Sequence, residues 1–91
     1  MTITLSRTAA IRATADKIQV YRSGYNYAVC DERGQTVTLP DYWRAQAVAT
    51  KRRAELALRL MGLDAMAAQD AVEQAIGRGY TTVRDIVAVS E

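Results

Sequence analysis

Residues 17–39 read KIQVYRSGYNYAVCDERGQTVTL, and this stretch decides the fold. Residues 17–22 and 25–30 are alternating runs of apolar and polar residues, which is the pattern of a half-buried β-strand. Ser23-Gly24 separates them, and a two-residue loop containing Gly is a common connector in β-hairpins. The sequence therefore predicts a β-hairpin over residues 17–30.

A second hairpin is predicted through Asp31-Glu32-Arg33-Gly34 onto residues 35–39. Asp at the first position and Gly at the fourth favour a type I turn followed by a left-handed residue and a bulge. The two hairpins share their middle strand. Together they predict a three-stranded antiparallel β-meander.

The two predicted turns can be compared through the strand registers that they impose. A two-residue first loop pairs Val20 with Tyr27, and a three-residue second loop pairs Val29 with Val37. Both registers place the same apolar residues on one face of the sheet: Ile18, Val20, Tyr27, Val29, Val37 and Leu39. The opposite face carries polar and small residues: Gln19, Tyr21, Asn26, Ala28, Cys30, Thr36 and Thr38. We expect the apolar face to be covered, and the other to be solvated or used in binding.

A long helix is predicted over residues 41–62, with Asp41 as its N-cap and Gly62 as the residue that ends it. At about 100° per residue, its apolar residues fall in two strips. One strip is Ala45, Ala49, Leu56 and Leu60, and the other is Trp43, Ala47, Ala54, Leu58 and Met61. A helix with two apolar strips has two neighbours, so we expect one strip to cover the sheet and the other to meet the remaining helices.

Three shorter helices complete the prediction. Ser6 can cap a helix over residues 7–15, after a β-prone start over residues 2–5. Asp64 can cap a helix whose inward residues would be Met66, Ala68, Val72, Ala75 and Ile76. Thr81 or Thr82 can cap the last helix.

The sequence thus predicts an α+β fold. In it, a three-stranded antiparallel meander packs on a long central helix, with a short N-terminal helix and two C-terminal helices. We expect one small domain over residues 1–91, made of the meander (17–39), the central helix (41–62) and a C-terminal helical pair (64–89).

Composition narrows the classes of function. Twelve Lys and Arg against ten Asp and Glu give a net charge of +2, which is too mild to imply nucleic-acid binding by charge alone. Cys30 is the single cysteine and cannot form an intrachain disulfide, so a reducing cytoplasm is the expected compartment. We expect no signal peptide and no membrane-spanning segment.

No catalytic, cofactor or metal motif stands out in the chain. The absence of His excludes a His general base and a His metal ligand, and one cysteine cannot build a Cys-rich zinc site. The adjacent acids Asp31 and Glu32 are explained by the turn. We therefore expect no enzyme activity, no cofactor and no metal.

Two groups of residues are candidates for partner binding. Four basic residues of the central helix, Arg44, Lys51, Arg52 and Arg59, fall with Glu55 within an arc of about 100°. This basic arc is expected to face solvent, either as an ordinary solvated surface or as a site for an acidic or phosphate-bearing partner. The second group is Tyr21, Arg22 and Tyr25 at the first hairpin, because Tyr and Arg are favoured at interface hot spots.

Residues 18–58 resemble the arm-type DNA-binding domain of phage integrases. Ser23-Gly24-Tyr25 and Arg33-Gly34 stand where that family has its hairpin and its glycine turn, ahead of a following helix. The resemblance implies a small DNA-binding module in which the sheet enters the major groove.

The whole chain also resembles small phage or prophage accessory proteins of the anti-CRISPR type. It shares with them a length under 100 residues, an Ala- and Arg-rich composition and a short sheet with helices. This resemblance implies a stoichiometric inhibitor that binds a host defence complex in the bacterial cytoplasm.

Three hypotheses follow. The chain is an anti-CRISPR-like inhibitor acting by protein–protein contact, a DNA-binding module using the sheet face or the basic arc, or a dimerisation domain. In the third case, Trp43, Leu58 and Met61 would be exposed in the monomer and buried in a homodimer. Low net charge and the neutral open face of the sheet favour the inhibitor, either as a monomer or as a homodimer, bound to a host protein or nucleoprotein complex.

Overall fold

The computed structural model describes residues 4–91. Its elements are α1 (Arg7–Lys17), β1 (Gln19–Ser23), β2 (Asn26–Cys30), β3 (Thr36–Leu39), α2 (Tyr42–Leu60), α3 (Ala65–Gly77) and α4 (Val83–Ser90). The strands form one antiparallel sheet in the order β1-β2-β3. The predicted α+β fold and its element order are therefore confirmed.

The start of the chain differs from the expected strand. Of the predicted β-prone residues 2–5, residues 2 and 3 lie outside the described part of the chain. Thr4 and Leu5 belong to no strand. Instead, the N–H of Leu5 donates to the carbonyl of Leu60 at 2.8 Å, which ties the entry to α1 against the end of α2.

All four helices begin at a side-chain cap, as the sequence indicates. The caps are Ser6, Asp41, Asp64 and Thr82, and each accepts a hydrogen bond from the backbone N–H three residues further on.

The end of α2 is set by Gly62, which has a φ of +111°. The N–H of Leu63 donates to Leu58 and the N–H of Gly62 donates to Arg59, both at 3.0 Å, and this pair of bonds is a Schellman motif. The reversal that it produces leads the chain directly into α3.

The second hairpin matches the prediction. Val29 pairs with Val37 and Tyr27 with Leu39. Gly34 has a φ of +80°, and the Asp31 carboxylate accepts the N–H groups of Arg33 and Gln35, each at 2.9 Å. The turn chemistry therefore set this register, as expected.

The first hairpin has a different register from the predicted one. Val20 pairs with Val29, and Arg22 pairs with Tyr27, because the loop is Gly24-Tyr25 instead of Ser23-Gly24. Gly24 has a φ of +63°, as a type II′ turn requires at its first loop position, and that position is costly for Ser23. The shift moves the pairing by two residues, so each side chain keeps its face. It also brings Arg22 opposite Tyr27.

Two apolar clusters lie on the two sides of α2, as its two strips predict. The sheet-side cluster is Ile18, Val29, Ala45, Ala49 and Leu56, with Val20, Tyr27, Leu39, Val48 and Leu60 at its edge. The helix-side cluster is Ala10, Ala54, Ala57, Leu58, Ala68, Val72, Ala75, Ile86 and Val87. Leu60 contacts both clusters, so the last turn of α2 joins them.

Several residues expected inside are exposed. Trp43 and Ala47 belong to the apolar strip of α2 that is expected to meet α3 and α4. In that strip Ala54 and Leu58 are buried, but Trp43 and Ala47, in the first two turns of α2, are exposed. Met66 and Ile76 are exposed on α3, whereas Ala28 is buried although it lies on the open face of the sheet. Within residues 4–91, no helix has both the length and the apolar character needed to cross a membrane.

Candidate functional site

Three aromatic rings line up at the end of the sheet where α2 begins. The ring of Tyr27 meets that of Tyr42 with centroids 5.5 Å apart and planes at 73°. Tyr42 in turn meets Trp43 at 5.6 Å and 76°. Both arrangements are edge-to-face, the geometry that aromatic quadrupoles favour. The Trp43 ring is therefore supported on one side although 79% of the residue is exposed.

Two arginines are neighbours of residues in this row, Arg22 across the β1–β2 pair and Arg44 along the chain in α2. Arg22 is the cross-strand neighbour of Tyr27, and its Nε donates to the carbonyl of Gly24 at 3.3 Å. Arg44 follows Trp43 in the chain and its Nε lies 3.3 Å from the carboxylate of Asp41. At the hairpin tip, Tyr25 is 95% exposed. We refer to Arg22, Tyr25, Tyr27, Tyr42, Trp43 and Arg44 as the aromatic-arginine surface.

The sequence-predicted candidates divide between two places. Arg22, Tyr25 and Arg44 belong to the aromatic-arginine surface. Tyr21 is exposed on the opposite face of the sheet, where its cross-strand neighbour is Ala28. Lys51, Arg52 and Arg59 lie further along α2 and form a separate group.

The basic arc faces solvent only in part, since Arg44 and Arg59 are exposed as expected but Lys51 and Arg52 are partly buried. Lys51, Arg52, Glu55 and Arg59 form the floor of a cleft. Its walls are the β2–β3 turn and β3 on one side and α3 on the other. The wall residues are Asp31, Glu32, Arg33, Val37, Ala65 and Gln69. The cleft has two lobes of about 230 and 420 Å³ that share Arg52, Glu55 and Gln69.

Acidic residues from other elements offset the positive charge of this cleft. Lys51 Nζ lies 3.5 Å from Glu73 on α3, and Arg59 Nη1 lies 3.4 Å from Glu32 in the turn. The sequence does not reveal these pairs, because their partners are distant in the chain. The arc is therefore basic in the sequence and nearly neutral in the fold.

The pKa values of two carboxyl groups near the cleft are shifted in opposite directions. Desolvation would raise the pKa of Asp31, but hydrogen bonds from the N–H groups of Gln35 and Arg33 and the charges of Arg52 and Arg33 lower it overall. Desolvation is the main cause of the raised pKa of Glu55. Glu73 and Glu32 add to the rise, and Lys51 and Arg52 oppose it. Glu55 thus carries its charge at a cost in the folded chain.

Arg52 has an unsatisfied donor in this cleft. Its Nη1 atom is buried from solvent and has no hydrogen-bond partner among the described residues. A buried, unpaired guanidinium nitrogen is costly, so the folded chain would be stabilised if this donor gained an acceptor.

The predicted partner-binding candidates do not include Tyr42 or Trp43, and only the dimerisation hypothesis has Trp43 exposed in the monomer. The periodicity of α2 placed Trp43 in a buried strip, and periodicity carries no information on where a neighbouring helix ends. A signal was present, since Tyr42 and Trp43 directly follow the cap Asp41 and so lie in the first turn, at an end of the helix.

The chain matches no protein-family model, and comparison with the curated proteins and with the solved structures gave no match either.

Proposed function

We propose that the chain is a non-catalytic protein-binding domain and that the aromatic-arginine surface is its binding site. The observation that carries this proposal is Trp43, a large ring that is mostly exposed yet held edge-to-face by Tyr42. Trp, Tyr and Arg dominate the binding energy of protein interfaces. A ring that is already oriented loses less conformational entropy on binding, which favours affinity.

We further propose that this domain acts as an anti-CRISPR-like inhibitor in the cytoplasm of a host bacterium. The support is the resemblance to small phage accessory proteins in length, composition and combination of sheet and helices. The partner would be a host defence nucleoprotein complex, and inhibition would follow from covering its nucleic-acid site or an assembly surface.

Two observations favour a protein partner over duplex DNA. Lys51 and Arg59 already pair with acidic side chains. The open face of the sheet, which would enter a major groove, carries no Lys or Arg on any of its three strands. Arg22 lies in β1 but on the other face, opposite Tyr27. A protein that neutralises many phosphates needs several unpaired cations on one surface.

The dimerisation hypothesis loses one of its three residues. Leu58 is fully buried in the helix-side cluster, so it cannot join Trp43 and Met61 in an exposed surface. Trp43 itself remains available to a partner of a different kind.

The test compares two variants as baits in lysate from a bacterium that carries an active CRISPR system. Trp43→Ala removes the central ring, and Met66→Ala is the matched control because Met66 is also a large, mostly exposed apolar side chain. Trp43 lies in the first turn of α2, whereas Met66 lies in the first turn of α3, which follows the far end of α2. We expect one defence complex to be retained by the wild type and by Met66→Ala, and lost with Trp43→Ala.

The same three proteins are then assayed for inhibition of target cleavage by the purified complex. Inhibition by the wild type and Met66→Ala, but not by Trp43→Ala, supports the proposal. A gel shift of duplex DNA at low salt by the wild type, without any retained protein complex, would instead favour the DNA-binding module.

A further inference from the structure

The free edge of β3 borders the cleft. The lining residues of the cleft include Val37 of β3 but none from β1 or β2, so the cleft lies at the β3 side of the sheet. Val37 is partly exposed there, beside Val48 of α2. Among residues 4–91, β3 pairs only with β2, and no described strand lies along its outer edge.

The register identifies which backbone groups of β3 point outward. The N–H of Asp31 donates to the carbonyl of Gln35, and hydrogen-bonded pairs alternate along an antiparallel ladder. Val37 and Leu39 are therefore bonded inward to β2, and Thr36 and Thr38 direct their N–H and C=O groups to the free edge. No hydrogen bond from another described element reaches Thr36 or Thr38.

Arg52 lines the same cleft, and its Nη1 atom is covered and has no hydrogen-bond partner among residues 4–91. A strand added beside β3 would lie about 4.8 Å from it and would direct alternate side chains over Val37 into the cleft. Its carbonyl or side-chain oxygen would supply the acceptor that Arg52 lacks. The cleft holds both acidic and basic residues, so a neutral polar segment is better matched to it than a strongly charged one.

We propose that this cleft is a second binding site, separate from the aromatic-arginine surface, which takes an extended peptide segment of a partner protein. The segment adds to β3 as a fourth strand by bonding to the backbone of Thr36 and Thr38, and it presents an uncharged oxygen acceptor to Arg52. Main-chain bonds would provide affinity, and the cleft would select the side chains.

The probe is a random peptide library displayed on filamentous phage and selected on the full-length chain. Selected peptides are synthesised, and their affinities are measured by fluorescence anisotropy. Hydrogen exchange by NMR then locates the bound peptide on the wild type. We expect the N–H groups of Thr36 and Thr38 to become protected when the peptide binds. Protection at other amides and not at these two would overturn the proposal, and so would failure to enrich any peptide.

Two variants test the contacts one at a time. Thr38→Pro removes an outward N–H while leaving the bonds to β2, since Pro is tolerated on edge strands where its nitrogen faces solvent. We expect affinity to fall at least tenfold. Arg52→Lys keeps the charge but removes the Nη1 donor, and we expect about a tenfold loss, the equivalent of one hydrogen bond to a buried charged group. Unchanged affinity in Arg52→Lys, with native circular dichroism, would overturn the role of Arg52.

Two further measurements distinguish peptide binding at β3 from binding at the aromatic-arginine surface and from pairing with a second copy of the chain. Trp43→Ala should keep full peptide affinity, so this site and the proposed function fail independently. Light scattering at high concentration tests pairing of β3 with a second copy of the chain. A dimer that Thr38→Pro converts to a monomer would identify the occupant as a second copy and overturn the assignment to a partner peptide.

Discussion

Arg53 donates from both Nε and Nη2 to the carbonyl oxygen of Ile18, at 3.1 and 2.8 Å. Ile18 is fully buried and lies at the C-cap of α1, where the chain passes into β1. Its carbonyl is therefore a backbone acceptor away from water, and a charged fork from the middle of α2 satisfies it. This one pair links the N-terminal helix, the sheet and the central helix.

The first prediction concerns Arg53. In Arg53→Ala the buried carbonyl of Ile18 loses both donors, so we expect unfolding free energy to fall by about 2 kcal/mol. Arg53→Lys should recover part of this loss, because an ammonium can approach the oxygen but cannot form the fork. Urea denaturation followed by circular dichroism measures both. Arg12→Ala is the control, since Arg12 is exposed on α1 and its loss should change stability by less than about 0.5 kcal/mol.

The second prediction compares two glycines. A Cβ at Gly62 would lie 3.1 Å from Cγ2 of Thr4, and the φ of +111° is itself unfavourable for any other residue. We expect Gly62→Ala to destabilise the fold by about 1–3 kcal/mol. Gly77 ends α3 with open space around it, so Gly77→Ala should be stabilising by about 0.4–1 kcal/mol. Thermal denaturation of the two variants should shift in opposite directions, and equal shifts would contradict this account.

The third prediction is a pH dependence that comes from Glu55. Its folded pKa is raised above the usual 4.5, so the folded state binds this proton more tightly than the unfolded state. The resulting stabilisation is present below pH 4.5 and is lost as pH rises through the folded pKa. Gln at position 55 does not ionise, so Glu55→Gln does not lose this stabilisation as pH rises. We expect the variant to gain stability relative to the wild type between about pH 4 and pH 7, as followed by urea midpoints.

Asp31 should act in the opposite direction. Because its folded pKa is below the usual 3.8, its contribution is present above that pH and is lost as pH falls through the folded pKa. A wild type whose stability fell steadily from pH 7 to pH 4, with Glu55→Gln parallel to it, would contradict the assignment to Glu55.

The fourth prediction separates stability from binding at Trp43. Trp43 is mostly exposed, so Trp43→Ala should lower unfolding free energy by about 1 kcal/mol or less, whereas truncating a buried aromatic costs about 3–5 kcal/mol. Partner binding should nevertheless be lost. Trp43 is also the only tryptophan, so its fluorescence reports on this surface directly. A stability loss of several kcal/mol would mean that the ring is a core residue.

Local chemistry explains which parts of the fold could be predicted. The caps Ser6, Asp41 and Asp64 and the end at Gly62 follow from side-chain hydrogen bonds and backbone angles that act within a few residues. The second hairpin follows for the same reason. In the first hairpin, the sequence shows a glycine at position 24 but not whether it is the first or the second residue of the loop. In the structure Gly24 is the first, and this register brings Arg22 opposite Tyr27.

The candidate site was predicted less well than the fold. Arg22, Tyr25 and Arg44 are expected at a surface, whereas the local signal for Tyr42 and Trp43 is limited to their place in the first turn of α2. The charge balance of the basic arc could not be predicted for a similar reason, since Glu32 and Glu73 reach Arg59 and Lys51 from elements that are distant in the chain.

The α+β element order, the helix caps and the apolar face of the sheet can be predicted from residue order alone, because they depend on hydrophobic period and on bonds between near neighbours. The charge of the α2 surface, the exposure of Trp43 and the unsatisfied donor of Arg52 emerge only when the elements pack together. Each of these depends on where a second element ends or which side chain it brings into reach, and such distances are fixed by packing across the chain and not by spacing along it.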